Sequence, residues 1–323
     1  MTVDWRGATI DALNTIALQA DYSGCGYFWV PEAWGLEAFS TIGHLLTITR
    51  QIKIGPGIVN IFSRSAATIG MSCATLNQLA PGRFVLGLGT SGKGLVEYFH
   101  GAKFEKKFKR MNEYVEVIKK VSSGQIVEYN GEILKLSRFR LYGQALSSPV
   151  PIYLGAIGEK NLALSGVISD GAIVTLWPIS KLGDCLKTVG GSSKKKIFAY
   201  LPLRLARNER EEAQARAEIS KYISFYIASM GKYYAQNLSR LGFDKEVKEA
   251  IENKEKNILS DQFIGEFSLI GTPAKILERI ASIPDGVHPV FAFSAVTPKD
   301  GDDAARSIRD ISVELASKKP RPI

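Results

Sequence analysis

The chain is poor in the residues that build disulfide frameworks and histidine metal sites. Its 323 residues include three cysteines, Cys25, Cys73 and Cys185, and three histidines. Because the cysteines are odd in number and far apart, they exclude a disulfide framework and a C-x-x-C zinc site, and they favour a reducing cytoplasm. The histidines are equally scattered, so no metal site is expected.

Long apolar runs are absent as well. No run reaches the ~18 residues of a membrane-spanning helix, and the N-terminus shows no signal pattern. Zinc-finger and RNA-binding signatures are missing, so the net charge of +9 does not indicate a nucleic-acid partner. That charge is compatible with an anionic small molecule or cofactor. We expect a cytoplasmic protein that acts on a small molecule, with neither a membrane nor a nucleic acid as partner.

The sequence does contain an alternation of apolar strand-like runs and amphipathic helical patterns. Such alternation predicts a parallel sheet with helices outside it, and nearly continuous apolar runs are typical of strands buried on both faces. The strand-like runs are YFWVP (27–31), IKIGPGIVNI (52–61), RFVLGLG (83–89), PIYLGA (151–156), GAIVTLW (171–177), KIFAYLPLRLA (196–206) and HPVFAFSAV (288–296).

These seven runs predict an α/β barrel of the TIM type, in which a stub at residues 2–5 supplies an eighth strand. The first strand is therefore expected to be short or missing. Two insertions are predicted: a β-hairpin near 126–136, where Asn130-Gly131 separates two apolar runs, and a charged helical segment near 208–262. We predict a single domain over residues 1–323.

The segment RFVLGLGTSGKG (83–94) contains fragments of two nucleotide-binding motifs. Gly87, Gly89 and Gly92 match G-x-G-x-x-G, but that fingerprint belongs at the first strand and runs directly into a helix. The phosphate-loop match fails because Gly94 stands where a Ser or Thr must follow Lys93. What remains is a strand that ends in small residues, as where a ligand approaches the backbone closely.

In such a barrel the active site lies at the C-terminal ends of the strands. The residues there are rich in glycine, flanked by aromatic rings and nearly neutral, and they contain no hydrolytic motif. This lining suits a flat cofactor that supplies its own chemistry. Residues 155–158 precede a helix, and free amides at a helix N-terminus suit a phosphate.

Several segments resemble the luciferase-like flavin and deazaflavin oxidoreductases, which are TIM barrels. Within that family the chain looks most similar to the branch that uses coenzyme F420 and includes methylenetetrahydromethanopterin reductase. The resemblance covers about residues 9–180. The matching segments are FWVPEAWG (28–35), the block 48–92 that ends in GRFVLGLGTSG, VEYFHG (96–101) and PIYLGAIGEKNLALSGVISDGAI (151–173).

The resemblance implies coenzyme F420, with FMN as the alternative, bound at these strand ends. It implies a non-prolyl cis peptide between Gly57 and Ile58 behind the middle ring of the cofactor, and a phosphate on the amides of residues 156–159. The expected cofactor-binding residues are Trp34, Gly57, Ile58, Asn60, Gly89, Thr90, Ser91, Gly155, Ala156, Ile157, Gly158 and Trp177.

Three residues are candidates for moving a proton: Glu32, Glu97 and His100. Glu32 follows the second strand directly, whereas Glu97 and His100 lie in the loop after the fourth. Ala33 stands where several relatives carry histidine, and Lys93 lies near the place of a catalytic glutamate. The alternative for Glu32 is that it only accepts hydrogen bonds from the backbone or from an arginine.

The predicted function is that of an F420-dependent oxidoreductase, which transfers a hydride between the deazaflavin and a small organic substrate and resembles methylenetetrahydromethanopterin reductase. Two alternatives remain open at this point. One is an FMN-dependent monooxygenase of the luciferase type, and the other is a barrel that has lost catalysis and only binds a ligand. The resemblance also implies a homodimer or a higher homo-oligomer.

Overall fold

The computed structural model describes residues 1–142, 149–190, 195–252 and 259–318. The strands are β1 (Thr2–Val3), β2 (Tyr27–Val30), β3 (Lys53–Pro56), β4 (Val59–Asn60), β5 (Leu86–Gly89), β6 (Val127–Asn130), β7 (Lys135–Phe139), β8 (Ile152–Gly155), β9 (Gly171–Thr175), β10 (Lys196–Leu205), β11 (Leu269–Gly271) and β12 (Val287–Phe293). The α-helices are α1 (Ile10–Tyr22), α2 (Ala38–Ile48), α3 (Ala66–Leu79), α4 (Lys107–Ser122), α5 (Glu159–Ile168), α6 (Leu182–Val189), α7 (Glu209–Ser229), α8 (Lys232–Arg240), α9 (Asp244–Glu252), α10 (Asp261–Glu266), α11 (Pro273–Ala281) and α12 (Pro298–Lys318). A π-helical turn spans Leu95–Phe99, and a 3₁₀ turn spans Ile179–Lys181.

The main sheet is a parallel barrel in the order β3-β2-β1-β12-β10-β9-β8-β5-β4. Its ends meet where the amide of Ile54 donates to the carbonyl of Arg83 at 2.8 Å, and the amide of Val85 donates to the carbonyl of Ile54 at 3.1 Å. β3 and β4 are two pieces of one barrel strand, because they flank Gly57 and Ile58. The expected TIM-type barrel is confirmed, and its first strand is short, with two residues that pair with β2 and β12.

Helices cover the outside of the barrel, and their starts follow local sequence signals. Thr9, Ser65 and Thr272 each stand just before a helix and accept a hydrogen bond from a first-turn amide, as N-cap residues do. The apolar faces of these helices are buried against the strands, as for Ile16 of α1 and Ile69 of α3. The outer core is therefore the layer between helices and sheet.

Aromatic rings fill the interior of the barrel below its C-terminal mouth. The ring centroids of Trp29 and Phe198 lie 4.9 Å apart, and those of Tyr153 and Phe198 also lie 4.9 Å apart. Tyr200 joins the same buried cluster. Because this interior is packed, the barrel is not a pore, and these rings form the floor of any site at the mouth.

Two segments lie outside the strand–helix repeat. β6 and β7 pair antiparallel with each other in a separate two-stranded sheet. Helices α7–α10 lie between β10 and β11, and buried residues such as Ile223, Phe263 and Phe267 give them a core cluster of their own. The assignment of the whole chain to one domain stays a prediction. None of the described helices combines the length and the apolar character that crossing a membrane requires.

Candidate functional site

A cavity of about 880 Å³ opens at the C-terminal ends of the barrel strands, and its volume is typical of small-molecule sites. Strand ends and the loops that follow them form one side, which we call the barrel wall: residues 31–34, 57–58, 89–95 and 155–157. Helices α7 and α8 form the opposite side, which we call the helical wall: Tyr222, Tyr226 and residues 229–234. A ligand in this cavity lies between backbone-rich and aromatic surfaces.

The peptide bond between Gly57 and Ile58 is cis, which confirms the bond that the family resemblance implied. The amide of Gly57 donates to the carbonyl of Val30 at 2.8 Å, and the hydroxyl of Tyr200 donates to the carbonyl of Gly57 at 3.4 Å. A Cβ atom on Gly57 would lie 1.9 Å from the Tyr200 oxygen. Only glycine therefore fits between the second and seventh strands of the barrel at this point.

The side chain of Ile58 lies between two further glycines. A Cβ atom on Gly89 would come within 2.5 Å of Cδ1 of Ile58, and one on Gly155 within 3.4 Å of its Cγ atoms. Larger residues at β5 and β8 would displace Ile58, so these glycines allow it to project into the cavity. Ile58 and its flanking glycines form an apolar shelf on the barrel wall.

Glu32 lies at the end of β2 and faces the cavity. Arg64 holds it with two hydrogen bonds, from Nη1 to Oε1 at 2.6 Å and from Nη2 to Oε2 at 2.7 Å, and the amide of Ala38 donates to Oε2 at 2.9 Å. Burial alone would lower the pKa of Arg64, but hydrogen bonds and charge from Glu32 and Glu37 outweigh it and raise that pKa. These are the contacts expected if Glu32 only accepts hydrogen bonds.

The N-terminus of α5 lies next to the shelf. Gly158 is its N-cap residue and supplies no side-chain cap. The amide of Asn161 donates to the carbonyl of Gly158 at 3.0 Å, but the amides before it in the first turn have no intrahelical acceptor. The amide of Ala156 differs, because it donates to the carbonyl of Ile173 at 2.9 Å. An anion at this helix would therefore meet the amides that follow Ala156 in the chain.

The helical wall is aromatic. Tyr222 and Tyr226 lie one turn apart on α7, and Tyr226 packs edge-to-face on Tyr234 of α8 with ring centroids 5.1 Å apart. Burial raises the pKa of both Tyr222 and Tyr226, and the nearby charge of Asp4 adds to both shifts. These hydroxyls therefore stay protonated at neutral pH and can donate hydrogen bonds to a ligand.

Most of the residues proposed from the sequence meet in this cavity. Those that line it are Glu32, Trp34, Gly57, Ile58, Gly89, Thr90, Ser91, Gly155, Ala156 and Ile157.

The other two acid–base candidates lie outside the lining. His100 Nε2 lies 3.2 Å from Nδ2 of Asn60, whose Oδ1 accepts from the amide of Phe62 at 2.9 Å. Glu97 pairs with Lys93, with Oε2 at 3.6 Å from Nζ, and its Oε1 accepts from the amide of Phe104 at 3.4 Å. Asn60 and His100 thus hold the loop after β5 against β4.

Trp177 is turned away from the cavity. The chain turns after β9 at Leu176, whose φ is +51°, so Thr175 lines the cavity while the indole of Trp177 packs in the outer core. Its Nε1 donates to the carbonyl of Lys181 at 3.1 Å. The structure gives this indole a core position and no contact with the cavity.

Several lining residues were missed from the sequence, chiefly Trp5, Tyr200 and the aromatic residues of α7 and α8. Tyr222 and Tyr226 stand four residues apart, a spacing that puts both rings on one helix face. That pattern also fits an ordinary buried face, so it carries no sign of a cavity. Trp5 stacks edge-to-face on Trp34 at 4.5 Å between centroids, a contact that only the closed barrel creates.

A second cavity of about 960 Å³ lies between α7, α12 and the end of β10. Its lining is charged, and its arginines engage neighbouring carboxylates. Arg6 pairs with Asp4, and Nε of Arg204 lies 3.1 Å from Oε2 of Glu218. Because these charges neutralise one another, the cavity between the barrel and helical walls is the better candidate site.

Comparison with known proteins agrees with this architecture. The model of a family described as luciferase-like monooxygenase matches residues 4–286. A 5,10-methylenetetrahydromethanopterin reductase of Archaeoglobus fulgidus is 30% identical over 321 aligned residues, which cover 93% of this chain and 93% of that protein.

Solved structures share the fold at lower identity. A coenzyme F420-dependent tetrahydromethanopterin reductase from Methanopyrus kandleri superposes with a TM-score of 0.80 at 19% identity, over 97% of this chain and 98% of that one. A monooxygenase from Streptomyces bottropensis superposes with a TM-score of 0.73 at 15% identity, over 98% and 96% of the two chains.

Proposed function

The chain belongs to the luciferase-like monooxygenase family, and on that basis we propose that it is an oxidoreductase that uses coenzyme F420. It would transfer a hydride between this deazaflavin and a small organic substrate. The choice of F420 rests on the similar proteins, since the neighbour from Methanopyrus kandleri is described as F420-dependent. The Archaeoglobus fulgidus relative, described as a reductase of a methylene-substituted pterin, supports a substrate of related chemistry.

The observation that carries the proposal is the apolar shelf of Ile58. A flat ring system needs an apolar support, and the glycines beside Ile58 let its side chain project into the cavity, where it can support such a ring. A Cβ atom on Gly89 or Gly155 would intrude on Ile58, and one on Gly57 would intrude on Tyr200 and Trp29. The barrel wall therefore fits the ring of the cofactor, whose central carbon supplies the hydride chemistry when it is bound.

The charged tail of the cofactor fits the neighbouring part of the cavity. The N-terminus of α5 presents amides and the positive end of its helix dipole, which favour a phosphate. Lys232 lines the same cavity and adds positive charge there, whereas Lys93, which also lines it, pairs with Glu97. The chain thus supplies apolar support for the ring and positive potential for the tail.

Among the predicted acid–base residues, Glu32 is the one that faces the cavity. We propose that it accepts or donates the proton that accompanies hydride transfer. Its ion pair with Arg64 fixes the carboxylate at the end of β2. Two hydrogen bonds from the guanidinium and one from Ala38 occupy three of the carboxylate's roughly four lone-pair sites, and the remaining site is the one that would take the proton. The opposite, helical wall then holds the substrate, whose rings would stack on those of Tyr222 and Tyr226.

Titration of the purified protein with F420 and with FMN, followed by fluorescence quenching, tests this function. The proposal expects tight uptake of F420, little uptake of FMN, and oxidation of bound reduced F420 when a reducible pterin accepts its hydride. Tight uptake of FMN without F420 would support the second candidate, an FMN-dependent monooxygenase. That candidate is favoured by the description of the family and by the Streptomyces bottropensis neighbour. If the protein binds neither cofactor, the third alternative is favoured: a barrel that has lost catalysis and only binds a ligand.

A further inference from the structure

One residue of helix α8, Asn237, lies beside the N-terminus of α5. A Cβ atom built on Gly158, the N-cap residue of α5, would meet one described atom within 4 Å, the Oδ1 atom of Asn237, at 4.0 Å. Asn237 belongs to the helical wall's side of the molecule, one turn beyond Tyr233 on α8. The side-chain amide of Asn237 therefore stands beside the amides that a phosphate would contact.

The side-chain amide of Asn237 has a donor without a hydrogen-bond partner in the described part of the chain. The residue is 5% exposed, and its Nδ2 atom is buried without a hydrogen-bond partner among the described residues. A buried donor without an acceptor costs free energy, and such groups in native proteins call for an explanation such as an absent ligand or ion. Oδ1 rather than Nδ2 faces Gly158, and the terminal torsion of asparagine is soft, so a half-turn of the amide group aims the donor at the start of α5.

The start of α8 adds a second positive helix end to the same cavity. Its N-cap residue, Gly231, has a φ of +84° and supplies no side-chain cap. Residues 231–234 line the cavity, with Lys232 among them. The amides at this end, like those of α5, favour a negatively charged ligand.

We propose that Asn237 is a phosphate-binding residue, whose Nδ2 donates to an oxygen of the phosphate held at the N-terminus of α5. This inference rests on the proposed function, because the phosphate is that of the cofactor tail. Nδ2 is a donor without an acceptor, and phosphate oxygens are acceptors without protons at neutral pH. The insertion between β10 and β11 thereby contributes to cofactor binding as well as to the substrate side.

Comparing the affinities of matched ligand pairs, with and without a phosphate, isolates the contribution of the phosphate to binding. The pairs are F420 with the same deazaflavin lacking its phosphate and tail, and FMN with riboflavin. Asn237→Asp replaces the donor by a negative charge, and we expect it to weaken binding of the phosphate-bearing ligand about 10- to 100-fold, the size of a lost hydrogen bond to a charged group. Binding of the phosphate-free ligand should change less than about twofold.

The matched control is Gln236→Glu, the same amide-to-carboxylate change at the exposed neighbouring position of α8. It should leave both ligands within about twofold of the wild type. Asn237→Ser, which removes the amide without adding charge, should weaken only the phosphate-bearing ligand, and it serves as the second variant if the aspartate protein does not fold. Thermal melting of the ligand-free variants reports folding.

Three outcomes would overturn the inference. Equal weakening of both members of a pair would mean that Asn237 only packs α8 against α5. Wild-type affinity of both variants for the phosphate-bearing ligand, with F420 still bound by the wild type, would remove Asn237 from the site while leaving the proposed function intact. Failure of the wild type to bind either cofactor would overturn the proposed function and this inference with it.

Discussion

The two walls of the cavity differ in what forms their surface: mainly backbone in the barrel wall and mainly side chains in the helical wall. The barrel wall consists of strand ends, glycines and backbone, and a Cβ atom at Gly57, or at Gly87 in the strand beneath the wall, would overlap other atoms at 1.9 to 2.0 Å. The helical wall consists of side chains on α7 and α8, chiefly tyrosines whose rings pack on one another. A surface made of backbone cannot adjust to a new ligand, whereas a surface of side chains can. The fixed wall suits the cofactor, and the adjustable wall suits the substrate.

The largest expected effect is a loss of stability at Gly87 of β5, two residues before Gly89 of the barrel wall. A Cβ atom in Gly87→Ala would lie 2.0 Å from the carbonyl oxygen of Pro56, and backbone in a closed barrel cannot move aside. We expect a loss of about 3 kcal/mol in the free energy of unfolding, measured by urea denaturation. Gly92→Ala is the control, because nothing lies within 4 Å of a Cβ there. Equal stability of the two variants would show that the strands that carry the barrel wall are not fixed.

The next effect concerns Glu32. Glu32→Gln keeps the shape of the side chain and removes its charge, so we expect turnover to fall about 10²-fold while cofactor affinity changes little. Steady-state rates and fluorescence titration measure the two quantities separately.

Glu37→Gln is the matched control for that substitution. Glu37 also pairs with Arg64 and is 44% exposed, but it does not line the cavity. If Glu37→Gln slows turnover as much as Glu32→Gln does, Glu32 acts only through the Arg64 network. If Glu32→Gln turns over normally while His100→Asn or Glu97→Gln is inactive, a residue of the loop after β5 moves the proton, and Glu32 does not.

The smallest expected effect is on the pH dependence of stability, and it concerns Tyr226 of the helical wall. Burial raises the pKa of Tyr226 above its ordinary value near 10, so the unfolded chain loses this proton first as the pH rises. The stability that neutral Tyr226 contributes is present below about pH 10 and declines above it, by up to about 1.4 kcal/mol per pH unit. In Tyr226→Phe the decline in melting temperature above pH 10 should be shallower than in the wild type.

Tyr22→Phe is the control for that titration, because the Tyr22 ring is 90% exposed. It should reproduce the alkaline decline of the wild type. An unchanged slope in Tyr226→Phe would mean that Tyr226 ionises alike in the folded and unfolded chains, and that the helical wall is open to water.

The difference between the walls also explains how far the sequence could be interpreted. The strand runs and the glycines of β5 are local features, since backbone geometry restricts which residues fit, whereas the cis bond at Gly57 was predicted from the family resemblance alone. Trp177 was assigned to the cofactor because it follows a strand, but a single residue with positive φ, Leu176, turns its indole into the core. Local patterns do not encode such a turn.

The helical wall depends on tertiary placement. Tyr222, Tyr226 and Asn237 occur in a charged helical segment, and an apolar or aromatic face there predicts a helix that packs somewhere without naming its partner. Only the path of the chain from β10 brings α7 and α8 over the mouth of the barrel. The helical wall was therefore out of reach of the sequence, whereas sequence patterns and the family resemblance together predicted many residues of the barrel wall.

The most direct test is a crystal structure of the protein with F420 bound. The proposed function predicts the deazaflavin ring in contact with Ile58 on the barrel wall, its phosphate on the amides that follow Ala156, and its other face open towards Tyr222 and Tyr226. A ring stacked on the tyrosines of the helical wall, with the phosphate away from α5, would contradict the assignment of the two walls.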